Sequence, residues 1–195
     1  VNKLELLKAV YSAIDWERLY RAAPDAERVQ VDGLFQELAE ALGPQPGAAE
    51  SAAIRGGAVV LYCDGASRGN PGPAAVGVVL AEPSGRELLA WGEPIGRATN
   101  NVAEYRAAIA GLQKALELGA RSVELRADSE LLVHQISGVY RVKHPGLRPL
   151  HAKVGELLGR FERWSARHVP REANARADAL ADAAARKALR SQTSS

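Results

Sequence analysis

The chain has 195 residues, 47% hydrophobic and 25% charged, a balance that suits a soluble globular protein with a substantial core and excludes fibrous and low-complexity classes. Cys63 is the sole cysteine, so neither an internal disulfide nor a Cys-based zinc cluster is available, and any metal must be held by oxygen or by His. Net charge is +2, but residues 1–56 carry six Lys/Arg against nine Asp/Glu (−3) and residues 57–195 carry nineteen against fourteen (+5), which assigns any polyanionic partner to the second part.

The N-terminal segment is expected to be a small helical unit over residues 1–42. Leu4, Leu7, Val10 and Tyr11 recur at helical spacing, Asp15 can cap a second helix through Trp16 and Leu19, and Leu34, Phe35, Leu38 and Leu42 mark a third. Its negative balance and lack of a basic helix argue against a DNA-reading helix-turn-helix, and favour packing or docking to a protein partner or to the rest of the chain. Glu5 and Lys8 interrupt the apolar pattern a signal peptide needs, and no apolar run approaches a membrane span, so the chain reads as cytosolic with no membrane partner. The absence of Met implies that the chain starts after an initiator residue. GPQPGAAESAAIRGG, residues 43–57, has the composition of a linker.

From Ala58 the pattern turns to strand. AVVLYCD is a compact apolar run ending in Asp64; AAVGVVLAE and RELLAWGEPI flank the turn signal PSG and predict an antiparallel hairpin. A helix comes next, with Val102, Tyr105, Ile109, Leu112 and Leu116 on one face and Gly119 as its stop. SVELRAD predicts a strand, SELLVHQIS a short helix, LRPLHAKVGELLGRF a longer one, WSARHV a last strand, and NARADALADAAARKAL a closing helix, with 191–195 left as a disordered tail. Strands joined by helices imply an α/β fold: a mixed sheet, antiparallel at the hairpin and parallel elsewhere, flanked by helices.

Four carboxylates hold the functional interest. Asp64 ends the first strand before Gly65 and can be a turn residue, yet alternation sets it on the face of Val60 and Tyr62, where an ionised group needs a partner or a cation. Glu104 can close a capping box begun three residues earlier by Asn101, which would account for it without further function. Asp128 precedes a helix that it or Ser129 can cap, and Asp178 can belong to a solvated helix face beside Arg176 and Asp182. Jointly they say more, because Asp64 and Asp128 both lie at carboxyl ends of expected parallel strands, where α/β proteins bind ligands, and Glu104 opens the helix leading into the second. Crowded acids repel unless divalent cations neutralise them, and an all-oxygen set suits Mg²⁺ or Mn²⁺.

DGASRGNPGPAAVGVVL from Asp64, TNNVAE from Thr99, DSELLVHQI from Asp128 and NARADALA around Asp178 resemble, in order and spacing, the motifs of ribonuclease H of type 1 over residues 58–188. The resemblance implies the ribonuclease H-like fold, a five-stranded mixed sheet flanked by helices, over residues 58–190. It further implies an endonuclease that hydrolyses the RNA strand of RNA–DNA hybrids with two Mg²⁺ ions, Mn²⁺ being a possible substitute, and leaves 5′-phosphate and 3′-hydroxyl ends. Asp64, Glu104, Asp128 and Asp178 match the family's metal-binding acids, with Asp64 between the two ions. Gly65, Ser67, Asn70, Thr99, Asn100, Asn101 and Ser129 match its substrate contacts, since turn main chain and Asn amides suit recognition of 2′-hydroxyls.

Some features depart from familiar bacterial members. His168 lies ten positions before Asp178 but within a predicted strand, which makes it structural, whereas Arg171, expected in the loop PREANARA, is the better match for a contact to the scissile phosphate. The stretch YRVKHPGLRPLHAK is short where some members carry a long basic handle, and Glu130, an acid beside the expected phosphate track, is given no contact. Two rival readings are a non-catalytic nucleic-acid-binding module of the same fold and a DNA nuclease of related fold. Retention of all four acids speaks against the first, and the GNPG and TNN elements against the second.

Overall fold

Val59–Cys63 is apolar on both faces because it forms the middle strand of a sheet covered on both sides. The computed structural model describes Val10 and residues 57–193, and the chain divides into units of residues 1–53 and 54–195. The helical unit expected over 1–42 and the linker over 43–57 lie outside the described residues, apart from Val10 and Gly57. In the second unit, strands β1 (Ala58–Ser67), β2 (Gly72–Ala81) and β3 (Glu87–Ala98) form an antiparallel meander, succeeded by helix α1 (Asn100–Glu117). Then come β4 (Ser122–Ala127), α2 (Glu130–Ile136), a 3₁₀ turn (Pro145–Leu147), α3 (Arg148–Leu158), β5 (Arg163–His168) and α4 (Arg171–Thr193). The sheet order is β3-β2-β1-β4-β5, with β1 antiparallel to β2 and parallel to β4, and β4 parallel to β5. This is the expected mixed sheet. Among the described residues no helix is long and apolar enough to cross a membrane.

The sheet is packed differently on its two faces. On one, Leu61, Val78, Leu125, Tyr105, Leu112 and Leu157 belong to a single buried core shared with α1 and α3, each such side chain contributing about 1.5–3 kcal/mol of burial. On the other, α4 crosses a row of glycines: Gly77 pairs with both Asp64 and Gly92. A Cβ at Gly77 would lie 2.0 Å from the Ala177 carbonyl oxygen, and one at Gly92 would lie 2.4 Å from that of Leu180. Glycine in these strands therefore lets a helix backbone rest on a sheet backbone, and the fully buried Ala177 and Ala181 keep the helix side equally thin.

Two helix starts differ from expectation. The cap of α1 is Thr99, whose hydroxyl accepts from the Val102 N–H at 3.3 Å, and not Asn101. Because β3 runs to Ala98, Thr99 is the one residue between strand and helix, and it takes the extended conformation that a cap requires. Helix α4 begins at Arg171, so most of the stretch expected as the loop PREANARA is helical. Pro170 sits just ahead of it, Glu172 occupies the first turn, and the later turns are rich in alanine, all favourable to a helix there. With no Gly or Pro after Pro170, the helix continues to Thr193, into the segment expected as a disordered tail.

Candidate active site

The pairing of β1 with β4 ends at Tyr62 and Arg126, while β1 continues to Ser67. Asp64 and Asp128 thus sit where two parallel strands part, the place where sheets of this kind open to ligands. Gly65 brings in the third acid: a Cβ there would lie 2.2 Å from the Glu104 nitrogen, so only glycine lets the start of α1 abut the strand. Gly77 brings in the fourth, since α4 reaches the sheet beside Asp64 and carries Asp178 to it. Asp64, Glu104, Asp128, Asp178, Asp182 and Arg171 line one cleft of roughly 270 Å³.

With the cap at Thr99 there is no acidic residue in the first turn of α1, and the capping role expected for Glu104 falls away. Its side chain is buried, Oε1 receives only a long bond of 3.5 Å from Asn100 Nδ2, and Oε2 has no donor. Burial, and then the charges of Asp64 and Asp128, hold the Glu104 carboxyl well above the usual carboxylate range. The same causes act on Asp64, pushed up to about 7 by burial, then by Asp128 and Asp178, against the opposing pull of Arg171 and the Gly65 N–H. Burial, with Glu104 and Asp64 behind it, pushes up the Cys63 thiol beneath them. A protein gains nothing in stability from such crowding.

The other two acids are turned to partners within the chain. Asp128 accepts from Asn174 Nδ2 at 2.8 Å, and Asp178 pairs with Arg171 at 2.6 Å, one strand end and one helix turn meeting across the cleft. Ser129, as expected, caps α2 by accepting from the Leu132 N–H at 3.4 Å, leaving Asp128 free of that duty. Among the described residues no group of three or more His, Cys, Asp or Glu stands as a ready metal-ligand set. The donors nevertheless fit hard divalent cations: all are oxygens, two are held protonation-prone by burial and then by neighbouring acids, and one buried Glu104 oxygen lacks a partner.

Of the expected substrate contacts, Gly65, Ser67 and Asn100 line the cleft. Ser67 Oγ donates to the Ala98 carbonyl at 2.8 Å, and Asn70 Oδ1 accepts from the Asn100 N–H at 3.3 Å, so the GNPG turn and the TNN segment are tied together. Asn70, Asn100 and Asn101 are exposed there, next to Thr99. His168 is exposed at the end of β5, paired with Ala127, in the strand where it was expected. Arg171 was expected in a loop; it lies instead on α4, seven residues and two turns before its partner Asp178. Sequence reasoning missed Asn174, Arg68 and Asp182. Arg68 lies in the turn after β1 and pairs with Asp182, which also holds Arg186 at 2.6 Å.

Residues 62–184 match the family model described as "Reverse transcriptase-like". Over 130 residues the chain is 52% identical to Ribonuclease HI of Halobacterium salinarum, covering 67% of this chain and 65% of that protein. A Ribonuclease H of Syntrophus aciditrophicus is 36% identical over 145 residues, with 82% of its length covered. The chain belongs to the ribonuclease H family. Among solved structures, RNase H1 of H. salinarum matches with a TM-score of 0.64 at 51% identity, over 65% of this chain and 96% of that one. LC11-RNase H1, solved in complex with an RNA/DNA hybrid, matches with a TM-score of 0.64 at 44% identity, over 67% of this chain and 99% of that one. A bifunctional protein of Mycobacterium tuberculosis is 48% identical over 135 residues, of which this ribonuclease H family chain spans only 37%.

Proposed function

We propose that the chain is an endonuclease that hydrolyses the RNA strand of RNA–DNA hybrids with two divalent cations, Mg²⁺ or Mn²⁺ in its place, leaving 5′-phosphate and 3′-hydroxyl ends. The observation that carries the reading is Glu104, a buried acid without a capping role and with one unpartnered oxygen, beside an Asp64 pushed up to about 7. Asp64, Glu104, Asp128 and Asp178 would hold the cations. When bound, these supply the positive charge that activates the attacking water and stabilises the leaving 3′-oxygen. The chain's own work is to converge four acids from β1, α1, β4 and α4, and to present the exposed Asn70, Asn100 and Asn101 amides and the Thr99 hydroxyl to 2′-hydroxyls in the minor groove. Gly65 and Ser67, which line the cleft, and Ser129, beside Asp128, would add contacts to the hybrid. Arg171, exposed and paired with Asp178 at the cleft, would meet the scissile phosphate.

The test is cleavage of an RNA–DNA hybrid in Mg²⁺ by the protein and by Asp64→Asn, with an all-DNA duplex in parallel. Cleavage of the RNA strand alone, lost on substitution, is the expected result. Hybrid binding without cleavage in either Mg²⁺ or Mn²⁺ would leave a non-catalytic binding module, and cutting of the all-DNA duplex would leave a DNA nuclease.

A further inference from the structure

Asn174 is 1% exposed, three residues into α4, and it is one of the few buried polar side chains of the described residues. Its Nδ2 donates twice, to the Cys63 carbonyl at 3.0 Å and to Asp128 Oδ1 at 2.8 Å. The amide therefore fills the wedge that opens where β1 and β4 cease to pair after Tyr62 and Arg126. Both partners offer acceptors, so the orientation of the amide is fixed by chemistry: reversed, its oxygen would face a carbonyl and a carboxylate. The same orientation leaves Oδ1 buried without a donor, a cost a residue serving only stability has no reason to carry.

We infer that Asn174 is a positioning residue for the carboxylate site, holding the Asp128 side chain at a set distance from the end of β1 so that the acids of the two strands act on the same cations. A residue that merely fastened α4 to the sheet would need only the Cys63 carbonyl, and Gly77 with Ala177 already achieves that contact. The bond to Asp128 is the part that packing leaves unexplained. The same side of α4 carries Asp178 one turn later, so Asn174 ties the two halves of the acidic set to one rigid element. This inference rests on the nuclease reading above.

The full chain is compared with Asn174→Ala and with Asn174→Leu, which keeps the branched shape but supplies no donor and serves if the smaller variant fails to fold. Mn²⁺ binding is measured by calorimetry without nucleic acid, and kcat and KM on the hybrid in Mg²⁺. Expected is a loss of about tenfold to a hundredfold in Mn²⁺ affinity and in kcat, with KM unchanged, and no further loss of affinity when Asn174→Ala is added to Asp128→Asn. Variants that lose thermal stability but keep wild-type Mn²⁺ affinity and kcat would overturn the inference. Wild-type protein that neither binds Mn²⁺ nor cleaves the hybrid is a different result, and would remove the nuclease reading on which the inference stands.

Discussion

On the α1 side of the sheet, Leu61, Leu112, Leu125 and Tyr105 interlock as bulky side chains, whereas on the other side α4 rests Ala177 and Ala181 on Gly77 with its backbone almost touching the strand. The first arrangement removes much apolar surface from water and tolerates small shifts of the helix, because long side chains can readjust. The second removes less, but it leaves the helix little room to move toward the sheet, because there is no side chain between the two backbones to absorb a change. Bulky apolar packing is concentrated on one face, and close backbone placement beside the acids of the cleft on the other. Glu104 belongs to both, since α1 packs by its bulky face yet enters the site by backbone contact at Gly65.

This contrast is broken most severely at the acids themselves. Asp64→Asn keeps shape and burial and removes one negative charge, so folded structure is expected to survive while hybrid cleavage falls roughly a thousandfold or more, several kcal/mol of lost transition-state stabilisation. Retained cleavage would show that the cluster is not the site. On the bulky face the expectation is reversed: Leu112→Ala, at a fully buried position, should cost about 2–5 kcal/mol in chemical denaturation and leave kcat of the folded fraction intact. A large fall in kcat at constant KM in that variant would mean that the α1 face also sets the acids.

Acid titration sharpens the same division. Asp64 is raised from 3.8 to about 7 and Glu104 is raised with it, burial first and neighbouring acids second in both. The folded protein therefore holds protons that the unfolded chain has released between about pH 4 and pH 7, and the metal-free protein loses stability as pH rises through that window. The loss from Asp64 alone is of the order of 2–4 kcal/mol, taken as an upper range for a group at the edge of a wet cleft. Denaturation in EDTA at pH 5 and pH 8 should show it, Asp64→Asn should flatten it, and Mg²⁺ at pH 8 should restore what was lost. A pH-independent wild type would contradict the burial and crowding of these acids on which the proposed cation site rests.

How far the sequence discloses this arrangement depends on the range of the interaction. The hairpin, α1 and the succession of strands and helices follow from alternation and from the 3.6-residue period, which are local patterns. The four acids, each explicable singly as turn, cap or solvated face, were joined instead by topology and by the resemblance of their motifs to a family. The helix cap was not legible, because Thr99, Asn100 and Asn101 are all suitable residues, and the choice was made by how far β3 runs. The start of α4 was hidden because Pro170 and a run of polar residues read as a loop. Asn174 was least legible of all: its partners are 46 and 111 residues away, and at the edge of a helical pattern an Asn suggests a cap before it suggests a buried bridge. The signal that was available lay in Gly77 and Gly92, glycines inside strands, which mark close backbone approach.

Gly77→Ala tests that signal directly. The added methyl would meet the Ala177 carbonyl oxygen at 2.0 Å and the Ala181 nitrogen at 2.6 Å, both backbone atoms, so α4 must move. A cost of about 1–3 kcal/mol is expected from the overpacking, accompanied by a fall in kcat beyond what the lost stability explains, because Asp178 and Asn174 travel with the helix.

The smallest effect is expected from the matching substitution on the other side, Gly119→Ala. Gly119 ends α1 at φ +80, and nothing lies within 4 Å of where its Cβ would be, so the penalty is the left-handed backbone conformation alone, about 1 kcal/mol. The helix end it terminates is remote from the cleft, and kcat should not change. The pair therefore separates two uses of glycine in one protein: at Gly119 it frees a backbone angle, and at Gly77 it clears a volume. If both alanine variants lost stability equally and neither lost activity, backbone contact beneath α4 would be a packing convenience, and the acids would have to be positioned by their own hydrogen bonds, with Asn174 first among them.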